Sequence, residues 1–362
     1  MNDTAPLYSS SAPVVKAAGT LQRDVARDLL HLEVDEDVEG LRRLALHIVA
    51  SAPREQSSGD LVEYLDGSVF DYGTSIEVSM GPTGNEKNVF KGTISAIEIS
   101  YEQGDVPHVT VLAEDELMAL RMNQTSQTYT QSSDADVARA IASRHNLTPD
   151  VQADGPTYDV VQQINQSDLE FLRQRASLLA AEVWAWDGTL HVTTRENRVG
   201  TTLTLSQGNE LLSVSVRGDL AHQTASVHVT GYDAQQRATI DQVAPSSTID
   251  AEISGGRTGP QVLTQASSAL AAHCLSDVPL VSAEAEAFAK AEMLRRSRRF
   301  VTVRGVTAGS PDMVVGSRIT LDRVGTPFNG DGYYATRVRH TYDLKSGHRT
   351  HFEAERPTVN AR

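Results

Sequence analysis

His348 and His351 stand three residues apart, a spacing that invites a metal reading. Their surroundings alternate polar and apolar, however, and on a strand positions i and i+3 point to opposite faces, so they make poor co-ligands. His222 and His228 share a face if their segment is a strand, but they lie about 20 Å apart along it. No cysteine or acidic partner stands beside them, so both read as structural histidines. Cys274 has no paired histidine and reads as an inert small residue. Carboxylates are numerous enough to offer acid/base pairs, but in an acidic chain such pairs arise freely. Asp35-Glu36-Asp37 reads as a solvated turn rather than a cation site. Arg295, Arg296, Arg298 and Arg299 form the one basic cluster; they read as cations placed where a helix C-terminus favours them. No HExxH, G-x-S-x-G, Walker loop or G-x-G-x-x-G is present. The residue types therefore assign no catalytic, cofactor-binding or metal site, and the chain reads as a structural subunit rather than an enzyme.

Composition narrows the classes further. At 362 residues the chain has room for two or three domains, and 40% hydrophobic residues give it cores to bury. Acidic residues outnumber basic ones 47 to 32, for a net charge of −15. That balance argues against sequence-specific nucleic-acid binding and against an anionic membrane surface, both of which are met by clustered Lys and Arg. If the protein encloses a channel, part of the acidic excess is expected to line it, so that anionic cargo slides without sticking. One cysteine excludes an intrachain disulfide. Met1 to Ser11 lacks the basic and apolar regions of a secretory signal, and no apolar run is long enough to span a bilayer. The expectation is a soluble chain made in the cytoplasm that leaves the cell by lysis or within a particle. Aromatic residues make up 5%, with only Trp184 and Trp186 close together, which disfavours a carbohydrate-binding module.

The pattern along the chain is mainly that of antiparallel sheet. Leu30, Leu32 and Val34 alternate with polar residues, as do Leu44, Leu46 and Ile48, then Ile76 and Val78. Ile94, Ile97 and Ile99 follow Gly92, and later come Val109, Val111 and Ala113. The period then changes. Ser133 opens a helix carrying Val137 and Ile141, and Ser167-Asp168-Leu169-Glu170 matches a capping box before Leu169, Leu172, Ala176, Leu179 and Ala180. Strands over 183–186 and 190–193 flank Asp187-Gly188, a hairpin turn. Strands resume near 211–216, 225–230 and 238–243. A loop (245–260) and two helical stretches, near 261–273 and 282–298, come next. The second carries Glu286 and Lys290 at i, i+4. The end, 300–356, is again β-rich.

Two distant segments share one grammar. Phe90-Lys91-Gly92 leads an alternating strand to Tyr101, a turn with Gly104, and a return strand ending Ala113-Glu114. Phe328-Asn329-Gly330 leads a strand to Tyr342, a turn with Gly347, and a return strand ending Ala354-Glu355. Five features in the same order point to an internal duplication. The fold expected is β-rich α+β: two related antiparallel, tube-like β-barrels with an α/β insert between them and a helical insert within the second. The units are an N-terminal arm (1–20), the first barrel (21–125), the α/β insert (126–205), the second barrel (206–244 and 299–362), and a loop and helical insert (245–298).

At these residues the chain resembles the phage late control D family, which includes the central hub of contractile phage tails and the hub portion of VgrG proteins. The matching stretches are FKGTISAIEISYEQGDVPHVTVLAEDELMALRM (90–122), QQINQSDLEFLRQRASLLAAEVWAWDGTLHV (162–192) and the segment from SAEAEAFAKAEM to RTHFEAERP (282–357), with N-x-S-D-L-E-F-L at 165–172 the most distinctive piece. The resemblance implies a homotrimer forming a pseudo-sixfold ring in the baseplate. One side would dock a threefold spike and the other would initiate the sixfold inner tube, incorporated in a virion tail or a phage-tail-like injection particle. Wedge, LysM-type adaptor and tape measure proteins are further partners of such a hub. The sequence ends after the second barrel, so the spike is expected as a separate polypeptide. The rivals are a β-rich peptidoglycan hydrolase and a carbohydrate-binding module of a tail.

Overall fold

The computed structural model describes residues 12–50, 62–153, 155–233, 236–267, 272–275 and 281–360, with the backbone alone for 272–275. The expected arm lies outside these residues up to residue 11, and so does the side chain of Cys274.

The first sheet is built from β1 (Val14–Ala17), β2 (Thr20–Leu21), β3 (Leu29–Asp37), β4 (Arg43–Val49), β5 (Ser75–Met80), β6 (Lys87–Ser100) and β7 (His108–Glu114), with α1 (Arg23–Asp28) between β2 and β3. The sequence assigned residues 12–20 to an arm. They instead supply β1, paired antiparallel to β5 on one side and to the short edge strand β2 on the other, and Val15 is fully buried. One apolar face closes round Leu32, Leu44, Leu46, Ile48, Ile76, Phe90 and Val111. The alternation in β3 is broken at Leu30, which the β3–β4 pairing skips, so Leu29 rather than Leu30 is buried.

The insert follows: α2 (Leu117–Met122), β8 (Gln124–Ser133), α3 (Asp134–Arg144), β9 (Thr148–Gln152), β10 (Thr157–Ser167), α4 (Asp168–Ser177), β11 (Ala181–Trp186) and β12 (Thr189–Thr194). It has its own core, with Val137, Ile141, Leu169, Phe171, Leu172 and Leu190 at its centre. Ser133 and Asp136 form a full capping box on α3. Ser167 accepts from the Glu170 amide, but the return bond from Glu170 is not made, so that cap is half of the one expected. The helix ends at Ser177, because Ala180 takes a positive φ and the chain turns into β11. Asp187 and Gly188 both have positive φ and close β11 onto β12.

The last part contains β13 (Thr202–Ser206), β14 (Leu211–Gly218), β15 (Ser226–Asp233), β16 (Ala238–Pro245), a 3-10 turn (Ser246–Glu252), β17 (Arg257–Thr258), α5 (Gly259–Ala266), β18 (Ala272–Leu275), α6 (Ser282–Arg298), β19 (Val301–Thr307), β20 (Arg318–Asp322), β21 (Gly330–Asp343), β22 (Gly347–Arg356) and β23 (Thr358–Val359). Here the sequence boundaries need correction. β15 and β16 do not join the second barrel-like sheet. They pair with β18 in a separate three-stranded sheet covered by α6, with Val227, Val229, Ile240, Phe288 and Met293 between them. The second insert is thus α/β rather than helical, and it begins before residue 245. Alternation marks a strand but says nothing about which sheet takes it. The helix expected over 261–273 ends at Ala266, and the stretch 245–260 holds the 3-10 turn and β17.

The second sheet consists of β13, β14, β19, β20, β21 and β22 around Val303, Ile319, Leu321, Tyr333, Val338 and Phe352. β21 also pairs antiparallel with β3, from Arg337 opposite Asp37 to Asp343 opposite His31. That ladder fuses the two halves into one thirteen-stranded sheet, running from β14 at one edge to β1 and β2 at the other.

The two halves are equivalent row by row. The order β3-β4-β7-β6-β5 in the first matches β14-β19-β22-β21-β20 in the second. One row of partners runs His31, His47, Thr110, Glu98; its counterpart runs Ser213, Val306, His351, Arg339. Another runs Asp35, Arg43, Glu114, Thr93, Ser75; its counterpart is Arg217, Thr302, Glu355, Tyr334, Arg318. The bulges coincide as well. The first pair of strands skips Leu30 in one half and Leu212 in the other, and the long hairpins skip Ser95 and Thr336. This register matches Ala113 to Ala354 and Tyr101 to Tyr342, as the sequence grammar does, but it does not match Phe90 to Phe328. Phe90 is buried within β6, where Gly92 is required because a Cβ would meet the Glu114 carbonyl oxygen at 2.2 Å. Phe328 lies in the turn before β21, and Gly330 has a φ of +110°.

Candidate functional site

The place where first sheet, insert and second sheet meet is held by a buried chain of charges. Glu36, near the end of β3, accepts from Arg42 at 2.6 Å and from Arg198 at 2.7 Å. Arg198 also donates to Glu182 of β11 at 3.0 Å. Glu182 accepts further bonds from Arg195 at 3.0 Å and from the Tyr334 hydroxyl at 2.6 Å. Arg195 then reaches Glu355 of β22 at 3.0 Å. Each cation lies over an aromatic ring: Arg42 over Trp186, Arg198 over Trp184, and Arg195 with Arg318 over Tyr334. Burial alone would push the Glu36 carboxyl up, but Arg42 and Arg198 outweigh it and hold the group below its usual range. Burial and Glu182 together push the Tyr334 hydroxyl well up, so it stays a donor. A cleft of about 500 Å³, lined by Trp184, Trp186, Arg198 and His340 among others, opens beside this chain.

Asp35-Glu36-Asp37 is therefore not the solvated turn expected. It is strand, with Glu36 buried and Asp35 bridged to Arg337 at 2.8 Å; Asp37 accepts the Glu39 amide. The error has a physical source. A run of acids looks solvated until its cations arrive from residues 198 and 337, far along the chain.

The other residues singled out by sequence scatter. His348 is buried and His351 points to the opposite face of β22. His222 sits in a turn before β15, not on one strand face with His228. Among the described residues no group of three or more His, Cys, Asp or Glu could hold a metal. Arg295 and Arg296 clasp Glu292, and Arg298 binds Glu252 at 2.6 Å, so these cations serve internal ion pairs. Glu286 and Lys290 pair on the helix surface at 2.7 Å. Sequence reasoning missed His340. Its Nε2 donates to the Met313 carbonyl at 3.1 Å, and its Nδ1 lies 3.1 Å from Thr350 Oγ1 and 3.4 Å from His348 Nε2. Burial, with His348 and Arg42 nearby, pushes His340 down to about 3; burial and Arg349 push His348 down to about 4. The polar face of the second sheet is mixed in charge: Arg304, Arg337, Arg339, His351 and Glu353 line a groove of about 400 Å³, and Arg337 and Arg339 pair with Asp35 and Glu33 of β3.

The family model described as the Alg8 N-terminal domain matches residues 16–343, a span that takes in both inserts, nearly all of the first sheet and the second sheet up to β21. The chain belongs to that family. Its name differs from that of the family the sequence resembles. No curated protein matches the chain. Solved structures do. The prophage MuSo2 43 kDa tail protein from Shewanella oneidensis aligns over 96% of this chain and 98% of its own, at a TM-score of 0.66 and 13% identity. A tail protein from Neisseria meningitidis MC58 aligns over 95% and 96%, at 0.63 and 15%. The E. coli c3393 protein, described as a type VI secretion component with structural similarity to T4 tail proteins gp27 and gp5, aligns over 96% and 77%, at 0.56 and 12%. At these identities the likeness establishes the fold, which is that of phage tail and tail-like proteins. No helix among the described residues is long and apolar enough to cross a membrane.

Proposed function

We propose that this Alg8 N-terminal domain family member is a non-enzymatic hub of a contractile tail or tail-like injection system, of the late control D kind. In this reading three copies form a ring with six near-equivalent sheets. One side receives a trimeric spike, and the other starts the hexameric inner tube. The observation that carries the reading is the row-by-row equivalence of the two sheets, fused through β21 and β3. A chain that presents two equivalent units in fixed relation lets a threefold assembly match a sixfold one. The tail proteins that share the fold support the same setting. The buried ion chain suits the role, because a hub that transmits force needs its units locked together.

Native mass spectrometry of the purified chain at micromolar concentration tests the proposal. A threefold species is expected, and a well-folded monomer would sink the hub. A peptidoglycan-clearing assay with the same material addresses the hydrolase alternative, and no clearing is expected.

A further inference from the structure

The equivalence of the halves has an unfilled counterpart. Within the chain, the outer half of β21 covers the outer edge of β3. β6 corresponds to β21, and β14 corresponds to β3. β14 pairs only with β19, and β6 beyond Ile94 pairs only with β7, among the described residues. Side-chain exposure tells the same story. Leu32 and Val34 of β3 are buried, whereas Val214 and Val216 in the same rows of β14 are half-buried. Tyr342 is 8% exposed under β3, whereas its counterpart Tyr101 is 66% exposed.

We infer that β6 of one copy pairs antiparallel with β14 of a second copy, in the register that β21 and β3 use. Arg339 opposite Asp35 becomes Glu98 opposite Arg217. His340 opposite Val34 becomes Ile99 opposite Val216, and Tyr342 opposite Leu32 becomes Tyr101 opposite Val214. The register follows from the equivalence of the two halves alone. The apolar residues nevertheless fall opposite one another, and the single charge pair keeps opposite signs with the two ends exchanged. Glu98 is exposed, and Arg217, its side chain 74% exposed, pairs with its neighbour Asp219 among the described residues. Each copy offers one β6 edge and one β14 edge, so the contact is head-to-tail and a closed ring leaves neither edge open. This inference rests on the hub reading and specifies the surface between its copies.

Cross-linking tests it. Ser100 and Ser215 fall directly opposite in this register, with Cα atoms about 4.5–5.5 Å apart, a separation a disulfide spans. A full-length C274S chain carrying S100C and S215C should oxidise to a covalent oligomer of the native size with no free thiol. The pair S100C and S213C, two residues out of register, should remain reduced. R217E should weaken association about tenfold, and the double variant E98R/R217E should restore it. An oligomer in which S100C and S215C stay reduced, or in which the shifted pair links equally well, overturns this contact and leaves the hub standing. A folded monomer overturns both.

Discussion

The two ends of β3 and β14 face the same problem with different neighbours. β3 lies under β21 in the same chain; its apolar residues are sealed, and at its rim Glu36 enters the buried ion chain. β14 has the same order, the same bulge and the same row partners, yet Val214 and Val216 stay half-buried and the residue corresponding to Glu36 is Gly218. The difference teaches that the duplicated unit fixes the ladder but not the joint. The covered joint carries a permanent ionic lock. The open edges carry one charge each, Arg217 on β14 and Glu98 on β6, with half-buried apolar side chains beside them, the composition of a surface that is finished by association.

The largest test of this contrast removes the lock. Glu36→Ala takes from buried Arg42 the carboxylate its guanidinium binds and leaves Arg198 with Glu182 alone, and it is expected to cost about 3–5 kcal/mol in urea unfolding. A loss below about 1 kcal/mol would mean that the β21–β3 ladder holds the halves without the ions. The contrast would then reduce to a difference in covering alone.

Acid should separate the halves next. His340 and His348 are buried in the second sheet, and the residue corresponding to His340 in the first is Ile99. Their folded pKa values, about 3 and about 4, lie below the unfolded value near 6.5. The unfolded chain therefore takes up protons first. Stability is full above pH 6.5 and declines as the pH falls toward the folded values. His340 alone should account for about 3 kcal/mol of loss by pH 4.5. The groups around the pair are Arg42, Arg349 and each other. Asp115 works in the other direction. Burial pushes its carboxyl up to about 7, so it favours the fold as the pH drops below that value. The comparison of wild type with His340→Gln cancels Asp115, and the variant should show a visibly flatter acid limb. Equal limbs would show that the pair does not titrate on unfolding.

Much of this architecture is legible in the sequence, and the limits have physical causes. Alternation marks β3 to β7, β14, β21 and β22 but not β13, and Asp187-Gly188 marks a hairpin through its backbone demand. The bulge at Ser95 leaves a mark in the sequence: Ile94 and Ile97 are an odd distance apart, which regular alternation forbids. What periodicity does not carry is the identity of a strand's neighbour. Hence β15 and β16 read by sequence as part of the second sheet, and β1 as part of an arm. Nor does local charge reveal its partner. Asp35-Glu36-Asp37 is an acidic run until Arg198 and Arg337 fold against it, and His340 has no motif at all. Phe90 and Phe328 misled for a related reason, since similar words beside similar strands need not occupy the same row.

The smallest effect concerns the exposed part of the covered joint. Arg337 grips Asp35 through two bonds of 2.9 and 2.8 Å, and the matching position in the first sheet is Ala96. Burial would raise the Asp35 carboxyl, but Arg337 and Arg339 hold it down. Arg337 is 38% exposed, however, so solvent screens much of that attraction. Arg337→Ala, which installs the first sheet's own residue, should cost no more than about 1 kcal/mol, and less at high salt. Arg339 would still lie 3.4 Å from Asp35. Unfolding midpoints at low and high salt measure the difference. A cost several times larger, insensitive to salt, would place the joint's strength at its rim. In that case Ala96 at the open edge would mark a contact weaker than the single Glu98–Arg217 pair implies.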